Sequence, residues 1–436
     1  MHEPDEHSAR DRQQNRTNIV YVTASLPYGV GERFIVPEVE ELVRQGLSVS
    51  VCPRKWQSRQ PKSDVRSLLD QTLEPRLLSA RVAFAALQVT CRSPRRVTAS
   101  VLPLFRSRSP WLVVKNLAVV PKALWLASYV RAAHVTHIHA HWAGTTATLA
   151  MVASAVSGVP FSVTAHRWDI AENNLLAAKV QSASFVRAID ELGAAELASL
   201  AESPRGAVSI IHMGVVVPDS LAVRTFASPP TIVLPATLVQ KKGHTYLLQA
   251  IALLRERDVH VRVEIAGTGP DQALIEQECA ARGLDDRVLL RGFVPHDELL
   301  AELQAGRYDI VVLPSVATAA GEREGIPVAL IEALAAGVPS ISTDLGGIPE
   351  LFRGGAGILV PERDPSAIAD AIERLVRDVA AREQITTRGY ARVQSLFDIE
   401  SVCRDLARLF RDQRPAIRDA DLADAPTAPY NGSPKF

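Results

Sequence analysis

The amino-acid sequence predicts an α/β protein made of two doubly wound domains with a cleft between them. Short β-branched runs alternate with helical periods through both halves of the chain, which is the pattern of strand–helix–strand units. The predicted strands are almost continuously apolar, as in parallel sheets covered by helices on both faces. A proline-rich segment at residues 218–230 is the predicted hinge. Ligands of such sheets bind beyond the carboxyl ends of the strands, so we expect the functional site in the cleft.

The N-terminal domain is predicted over residues 17–217, after a polar stretch at residues 1–16 that we expect to be disordered. Its predicted strands are Asn18–Thr23, Leu47–Cys52, Thr136–His139, Phe161–Thr164, Phe185–Ile189 and Val208–Ile211. Helical periodicity is clearest over Glu32–Gln45 and Thr145–Ser157. Residues 57–133 mix arginines with apolar runs and are assigned no topology. A membrane-facing surface and a solvated helical insertion are both compatible with that composition.

The C-terminal domain is predicted over residues 231–411 and repeats the arrangement, with a disordered tail expected over residues 412–436. Its last helix is a candidate to pack back on the N-terminal domain. Its predicted strands are Thr231–Leu234, Val261–Ile265, Val288–Leu290, Ile310–Leu313, Ser340–Ser342 and Gly357–Val360. Its predicted helices are His244–Arg257, Gln272–Arg282, Glu298–Gln304, Pro327–Ala336 and Ala367–Val379.

Composition narrows the class of protein. The 48 basic and 48 acidic residues leave no net charge, which argues against a nucleic-acid partner. Four widely separated cysteines without CxxC spacing are typical of reduced thiols in the cytoplasm. The polar N-terminus lacks the apolar core of a signal peptide. The most apolar window, Trp111–Val130, contains Lys115 and Lys122, which are costly at the centre of a bilayer, so we expect no transmembrane helix.

The most informative stretch is GEREGIPVALIE, residues 321–332. Pro327 suits the first position of a helix and Gly337 the residue after its end, which places Glu324 in the turn before the helix. Backbone N–H groups at a helix N-terminus form an anion site, and carboxylates beside it can bind the hydroxyls of a sugar and a ribose. A glycosidase acid/base pair is disfavoured. Eight residues of helix would separate Glu324 and Glu332 by about 12 Å, beyond the ~5–9.5 Å that hydrolysis needs.

These residues resemble the E-x7-E signature of retaining GT-B glycosyltransferases, the family that includes exopolysaccharide and colanic-acid-type sugar transferases. The similarity covers roughly residues 17–410 and is most specific in the C-terminal half. Further motifs are GFVP at 292–295, LPS at 313–315, STDLGGIPE at 342–350, GILVP at 357–361, PYGVGERF at 27–34, HIHAH at 137–141 and TAH at 164–166. The resemblance implies the GT-B fold of two Rossmann-like domains, with the acceptor on the N-terminal side and the donor in the C-terminal domain.

By this resemblance Glu324 binds the hydroxyls of the transferred sugar, Glu332 binds the nucleotide ribose, and Lys242 binds the phosphates. A lysine there neutralises the charge that builds on the leaving diphosphate. The other donor-binding candidates are Gly325, Ile326, Pro327, Val328, Gly29, Gly31, Gly292, Phe293 and Val294.

The phosphate site departs from the family pattern at one position. Thr237 stands where a second phosphate-binding arginine is expected. By analogy with single oxyanion donors, losing one such cation costs about 3 kcal/mol of transition-state stabilisation. Arg33 and Arg323 are the candidate substitutes.

Two features of the N-terminal half are candidates for the donor site. His166 follows the strand Phe161–Thr164 at the edge where such sheets bind ligands, and by the resemblance it contacts the donor sugar. Gly29 and Gly31 follow the first strand and would let the backbone approach a phosphate. Without a third glycine they are a weak dinucleotide fingerprint, as is Gly267–Gly269.

A run of alternating histidines has two interpretations. His137, His139 and His141 would share one face of a strand, as metal ligands could. No companion cysteine or carboxylate accompanies them, which favours acceptor-facing or hydrogen-bonded core histidines over zinc. A second candidate for metal binding, the D-x-D at Asp419 and Asp421, falls in the predicted tail, so no metal is expected.

The sequence thus predicts a metal-independent hexosyltransferase without a cofactor. It would move a sugar from a UDP- or GDP-sugar to a glycan or polyprenyl-linked acceptor, in surface polysaccharide synthesis. Because acceptors in the family are often lipid-linked glycans, the resemblance also implies peripheral contact with the inner face of the membrane. The alternatives are an epimerase of nucleotide sugars on the same fold and, because of Thr237, a weakly active or non-catalytic assembly partner.

Overall fold

The computed structural model describes residues 17–28, 30–55, 68–73, 76–77, 79–200, 206–222, 225–319 and 323–412. The expected N-terminal tail, the expected C-terminal tail beyond Asp412, Gly29 and the Asp419–Asp421 pair lie outside these residues.

Six parallel strands form the first sheet, in the order β2-β1-β3-β4-β5-β6. They are β1 (Asn18–Thr23), β2 (Ser48–Pro53), β3 (His137–His141), β4 (Phe161–Ala165), β5 (Val186–Ala188) and β6 (Val208–Ile210). The helices of this half are α1 (Val36–Arg44), α2 (Ala80–Arg92), α3 (Pro94–Val101), α4 (Pro110–Ala118), α5 (Val120–Ala132), α6 (Thr145–Ser157), α7 (Arg167–Glu172), α8 (Leu176–Ser182) and α9 (Glu191–Ala198). All six predicted strands are present. The predicted helix Glu32–Gln45 is divided into a 3-10 segment, Val30–Ile35, and α1, where Pro37 suits the first turn.

The second sheet also has six parallel strands, in the order β12-β11-β10-β7-β8-β9. They are β7 (Thr231–Pro235), β8 (Arg262–Ala266), β9 (Val288–Gly292), β10 (Ile310–Leu313), β11 (Ser340–Thr343) and β12 (Ile358–Val360). The helices are α10 (His244–Glu256), α11 (Gln272–Ala281), α12 (His296–Gln304), α13 (Val328–Ala335), α14 (Ile348–Phe352), α15 (Pro365–Arg377), α16 (Val379–Leu396) and α17 (Ile399–Asp412). The prediction for α13 was wrong by one residue: Pro327 is its N-cap, with φ −67° and ψ 123°. Gly337 follows its end with φ +71°, as predicted.

Within the segment 57–133, which was assigned no topology, residues 80–132 contain helices α2 to α5. Val82, Val97, Leu104 and Leu126 join the same buried cluster as Ile138 of β3, so part of this segment belongs to the core of the domain. Residues Pro110–Ala132 are long and apolar enough to cross a membrane by length and composition, but half of that window is buried inside the protein.

Helix α17, at the C-terminal end of the described residues, returns to the first sheet. Its residues Val402, Leu406 and Phe410 are buried with Ile19 and Tyr21 of β1. The chain thus passes between the two sheets a second time, next to the first passage. The Val215 N–H donates to the Phe397 carbonyl (2.8 Å) and the Ile399 N–H donates to the Val215 carbonyl (2.9 Å), so a single parallel β-bridge joins the two passages.

Candidate active site

In each sheet there is one point at which the order of strand addition reverses, so that neighbouring strands are connected to opposite sides of the sheet. This point lies between β1 and β3 in the first sheet, and between β7 and β10 in the second. Loops leaving the carboxyl ends of strands on the two sides of such a point diverge and form a crevice, which is where open α/β sheets bind their ligands. The loop after β7 contains Lys242, and the chain after β10 leads to Glu324.

The loop after β7 is held against the end of β10 by close backbone contact. A 3-10 turn, Gln240–Lys242, is followed by Gly243 with φ +69°. A Cβ at Gly243 would lie 1.8 Å from the carbonyl oxygen of Pro314, so only glycine permits this contact. The Lys241 carbonyl in turn accepts the N–H of Val316 at 2.8 Å. The backbone therefore fixes both lysines at the crevice.

Two lysines converge on Glu324. The Nζ atom of Lys242 lies 2.9 Å from Glu324 Oε1, and that of Lys241 lies 4.0 Å from the same oxygen. Glu324 is 9% exposed, and within the described residues its Oε1 makes these ion pairs but no hydrogen bond. Two ammonium groups beside one carboxylate leave a net positive charge, which suits an anionic group of a ligand. Sequence reasoning missed Lys241, although its place beside Lys242 was a usable signal.

A pair of glycines forms the support beneath Glu324. Gly346 has φ +59°, and a Cβ there would lie 1.9 Å from the Glu324 carbonyl oxygen. A Cβ at Gly347 would lie 2.8 Å from a side-chain carbon of Ile326. These contacts place the segment from Glu324 to Ile326 ahead of α13. At the start of α13, the first backbone N–H to donate a hydrogen bond is that of Leu330, to the Pro327 carbonyl. The N–H groups of Val328 and Ala329 therefore point out of the helix N-terminus.

Glu332 lies within α13 and is bound to α12. Its Oε1 is 2.6 Å from His296 Nε2, and this hydrogen bond raises the pKa of His296 above its usual value. The positive charge of Arg33, in the first domain, partly offsets this rise in the pKa of His296. Arg323, the other candidate substitute for the missing arginine, is exposed beside Glu324. Of the base-binding candidates in the same domain, Gly292 ends β9, Phe293 and Val294 follow it, and Phe293 is exposed.

The loop that carries Glu324 also touches the first domain. A Cβ on Gly325 would lie 3.2 Å from Arg167 Cγ and 3.4 Å from Asp190 Oδ2. Asp190 is fully buried, and its Oδ2 has no hydrogen-bond partner among the described residues. Burial raises the pKa of its carboxyl group. Sequence reasoning missed Asp190, which follows the end of β5 without a motif to mark it.

Two further polar atoms near Lys242 lack hydrogen-bond partners in the part of the chain that is described. They are Nε2 of His244, the first residue of α10, and Oγ of Ser315, which follows β10. Burial and the charge of Lys242 lower the pKa of His244 to about 4, so its ring is neutral. Buried polar groups are normally satisfied, and several unsatisfied ones around a crevice are typical of a binding site.

His166 lies on the first-domain side and precedes α7 as its N-cap. Its ring stacks on Trp142 at 4.3 Å, and its Nε2 is 2.9 Å from Nε2 of His141. Burial, with a contribution from the Arg187 charge, lowers the pKa of His166 to about 3. The ring is therefore neutral at physiological pH and can offer a ligand a hydrogen bond but no charge.

Behind His166 runs a buried polar chain that the sequence did not reveal. His141 lies 3.9 Å from Glu38, which accepts hydrogen bonds from Tyr21 (3.0 Å) and Arg187 (2.5 Å). All five side chains are buried. Glu38 and Arg187 come from α1 and β5, so this chain forms only when distant segments pack together.

The remaining histidines of β3 are core residues. His137 and His139 are fully buried and share the hydroxyl of Ser162, at 2.7 and 2.8 Å, while His139 also meets Thr164 at 2.9 Å. This arrangement fits the core interpretation of the run. Among the described residues no group of three potential ligands is placed to hold a metal ion.

The glycines of the two G-x-G sequences lie in different settings. A Cβ at Gly267 would lie 1.9 Å from the Ala236 carbonyl oxygen, and one at Gly269 2.3 Å from that of Leu238, so both allow the loop after β8 to pack on the loop after β7. Gly31 lies in the 3-10 segment before α1. The carboxylate of the next residue, Glu32, accepts hydrogen bonds from the backbone N–H groups of Ala24, Ser25 and Leu26 and thus holds the loop after β1 in place.

The two sheets, their strand orders and the cleft define a GT-B fold. Residues 222–392 match the model of the family "Glycosyl transferases group 1". The chain is 35% identical over 212 residues to the putative colanic acid biosynthesis glycosyltransferase WcaL of Escherichia coli K12, a match that covers 48% of this chain and 52% of the relative. It is 35% identical over 182 residues to the amylovoran biosynthesis glycosyltransferase AmsK of Erwinia amylovora, covering 42% and 44%. The similarity thus spans about half the length of these relatives.

Solved structures share the fold over most of the chain. HepE of Anabaena, in complex with UDP and glucose, superposes with a TM-score of 0.64 at 17% identity, covering 91% of this chain and 100% of that one. Sucrose-phosphate synthase of Thermosynechococcus elongatus gives a TM-score of 0.65 at 18% identity, covering 91% and 99%. At these identities the similarity shows the fold alone.

Proposed function

We propose that this protein is a retaining, metal-independent glycosyltransferase. It moves a hexosyl group from a UDP- or GDP-sugar to a glycan or polyprenyl-linked acceptor in surface polysaccharide synthesis. The observation that carries the proposal is the convergence of Lys241, Lys242, Glu324 and the N-terminus of α13 at the switch point of the second sheet. The names of WcaL and AmsK and the UDP and glucose bound to HepE support this substrate class.

Each part of the donor has a partner in the proposal. The diphosphate binds Lys242, Lys241 and the backbone N–H groups at the start of α13, where both the ammonium charges and the helix dipole favour an anion. Glu324 binds the hydroxyls of the transferred sugar. Glu332 binds the ribose, and the main chain of residues 292–294 holds the base.

In the reaction that we propose, the bond between the anomeric carbon and the diphosphate oxygen breaks as the acceptor oxygen attacks from the same face. The acceptor proton passes to the departing phosphate. Lys242 stabilises the negative charge on that phosphate, which is commonly the largest contribution to catalysis. Lys241 supplies the second positive charge that Thr237 cannot supply. His166, being neutral, contacts the sugar through a hydrogen bond.

Domain roles follow from the same proposal. Residues 17–217 carry the acceptor side, residues 231–411 carry the donor site, and residues 218–230 act as a hinge. Closure is supported by the hydrogen bond between His212 and Glu350 (2.6 Å) and by the ion pair of Arg353 with Glu191 (2.6 Å), which join the two sides of the cleft. We also propose that the protein works in the cytoplasm, in peripheral contact with the inner face of the membrane.

Two measurements test the proposal. Mass spectrometry of the nucleotide sugars retained by the purified protein identifies the donor, and the anomeric configuration of the product by proton NMR tests retention. We expect Glu332→Ala to abolish retention of the nucleotide sugar, whereas Glu362→Ala, which removes a carboxylate bound to the Ala317 N–H, serves as the control. Epimerised nucleotide sugar after incubation with donor alone would instead identify an isomerase.

Thr237 favours one second candidate, a non-catalytic partner that binds the donor without turnover. It predicts no release of nucleoside diphosphate with any acceptor. Thr237→Arg separates the two: a large gain in turnover identifies a weakened enzyme, and continued inactivity with intact donor binding identifies a binding protein.

A further inference from the structure

The layer formed by α2, α3, the following 3-10 turn and α4 has an unusual charge. Between residues 75 and 168 the chain has eleven lysines and arginines and no aspartate or glutamate, although the whole chain is neutral. Six of these arginines are exposed and make no ion pair with any residue that the structure describes: Arg81, Arg92, Arg95, Arg96, Arg106 and Arg108.

The same layer exposes large apolar side chains. Of the eight large apolar residues that are more than 55% exposed in the described part of the chain, six lie here: Phe84, Leu87, Leu102, Phe105, Trp111 and Val114. The other two, Trp168 and Phe293, lie in segments of the active site. A cluster of this kind on a protein surface marks an interaction site, whereas scattered single residues do not.

Each element of the layer has an inner and an outer side. Toward the core, α2 buries Val82, α3 buries Val97, the 3-10 turn buries Leu104 and α4 buries Leu112. The exposed apolar residues lie on the remaining sides of the same short elements, between the arginines. Lys115 of α4 lies 5.5 Å above the ring of Trp111, so a cation and an aromatic ring are adjacent on this surface.

We propose that this layer docks the protein on an anionic lipid bilayer. Helices with aromatic and aliphatic side chains on one side and arginines beside them lie in the interfacial plane of a membrane, where the rings enter the acyl boundary and the cations meet the lipid phosphates. The absence of acidic residues over the whole segment favours a uniformly negative surface over a protein partner of mixed charge. This layer is the surface that would make the membrane contact included in the proposed function, and anionic lipid is what it would bind. The donor site lies elsewhere, so loss of vesicle binding would leave donor binding untouched.

Flotation with lipid vesicles tests the proposal, using the full-length protein without donor or acceptor. We expect binding to vesicles of phosphatidylethanolamine with phosphatidylglycerol, weaker binding to phosphatidylcholine alone, and a decrease with salt. The triple variant Arg95→Gln, Arg96→Gln, Arg106→Gln should lower the partition coefficient roughly a hundredfold, at about fivefold per cation. The variant Phe84→Ser, Phe105→Ser, Trp111→Ser should lower it at least about tenfold.

A matched control places the same changes on the second domain and the last helix. Leu274→Ser with Val379→Ser, and separately Arg404→Gln with Arg408→Gln, change exposed residues and should leave vesicle binding intact. Circular dichroism and urea melts, which need no donor, should be unchanged in all variants and show that they are folded. Absence of binding by the wild type, equal binding to both vesicle types, or unchanged binding of both triple variants would overturn the proposal. So would a wild-type dimer, seen by light scattering, that the apolar variant dissociates without any change in vesicle binding.

Discussion

Replacing Lys242 by alanine is the most direct test of the phosphate site. Its Nζ is 2.9 Å from Glu324 and its side chain is 18% exposed, so it acts in a partly desolvated position. Removing a single preorganised donor from such a site costs about 100- to 1000-fold in kcat. Lys241 remains 4.0 Å from Glu324, but its side chain is 33% exposed and less effective. We therefore expect the lower part of that range, about 100-fold in kcat, for Lys242→Ala.

The matched control is the neighbouring residue. Lys241→Ala removes the same charge one position away, and because of its greater distance and exposure we expect roughly a fivefold decrease in kcat. Release of nucleoside diphosphate is followed in a coupled assay at saturating donor, and circular dichroism shows whether each variant is folded. If folded Lys242→Ala kept more than a third of the wild-type kcat, or if both variants lost equal activity, the assigned role of Lys242 would be wrong.

Three further predictions concern the ribose site, the support of Glu324 and the buried histidines. Glu332→Gln should raise the Kd for nucleoside diphosphate about tenfold, because a hydrogen bond to a charged group is lost, and unchanged affinity in calorimetry would contradict this. Gly346→Ala should lower the free energy of unfolding by more than about 2 kcal/mol in urea melts, since its Cβ would meet a carbonyl oxygen at 1.9 Å, whereas Gly354→Ala, with no atom within 4 Å, should cost only about 1 kcal/mol. Burial lowers the pKa of His137 to about 3, so the unfolded state binds more protons between pH 3 and 6.5 and stability is lost as the pH falls through that window. His137→Asn should reduce the slope of stability against pH there by about one proton, and an unchanged slope would refute the low pKa.

Local patterns were sufficient for much of the fold. All twelve predicted strands form, because an apolar run between helical periods is buried on both faces wherever the helices pack. Residues 80–132 gave no such pattern, since α2 buries only Val82 completely and its outer side is also apolar. The return of α17 to the first sheet depends on contacts between residues almost 400 positions apart, such as Phe410 with Tyr21, which no local period encodes.

The residues of the candidate site were likewise predictable only where a local sequence motif marks them. Glu324 and Lys242 lie in motifs whose backbone geometry requires glycine, so the residue types themselves indicate the loops. Asp190, Glu38 and Arg187 follow or line ordinary strands and helices, and their importance arises from burial without a local signal. The division of Glu32–Gln45 into a 3-10 segment and a helix has a tertiary cause as well, because Glu32 bonds three N–H groups of the loop after β1.

The return of α17 also has a consequence for biosynthesis. Helix α1 and helix α17, which are translated far apart in time, share one hydrophobic core, in which Cys403 and Phe410 are buried with Leu42. The core of the N-terminal domain therefore remains incomplete while the strands of the second sheet are being translated, and its apolar surface stays exposed until α17 has been made. A frameshift or truncation that removed only α17 would spare every donor-binding residue and still leave the opposite domain unable to close its core.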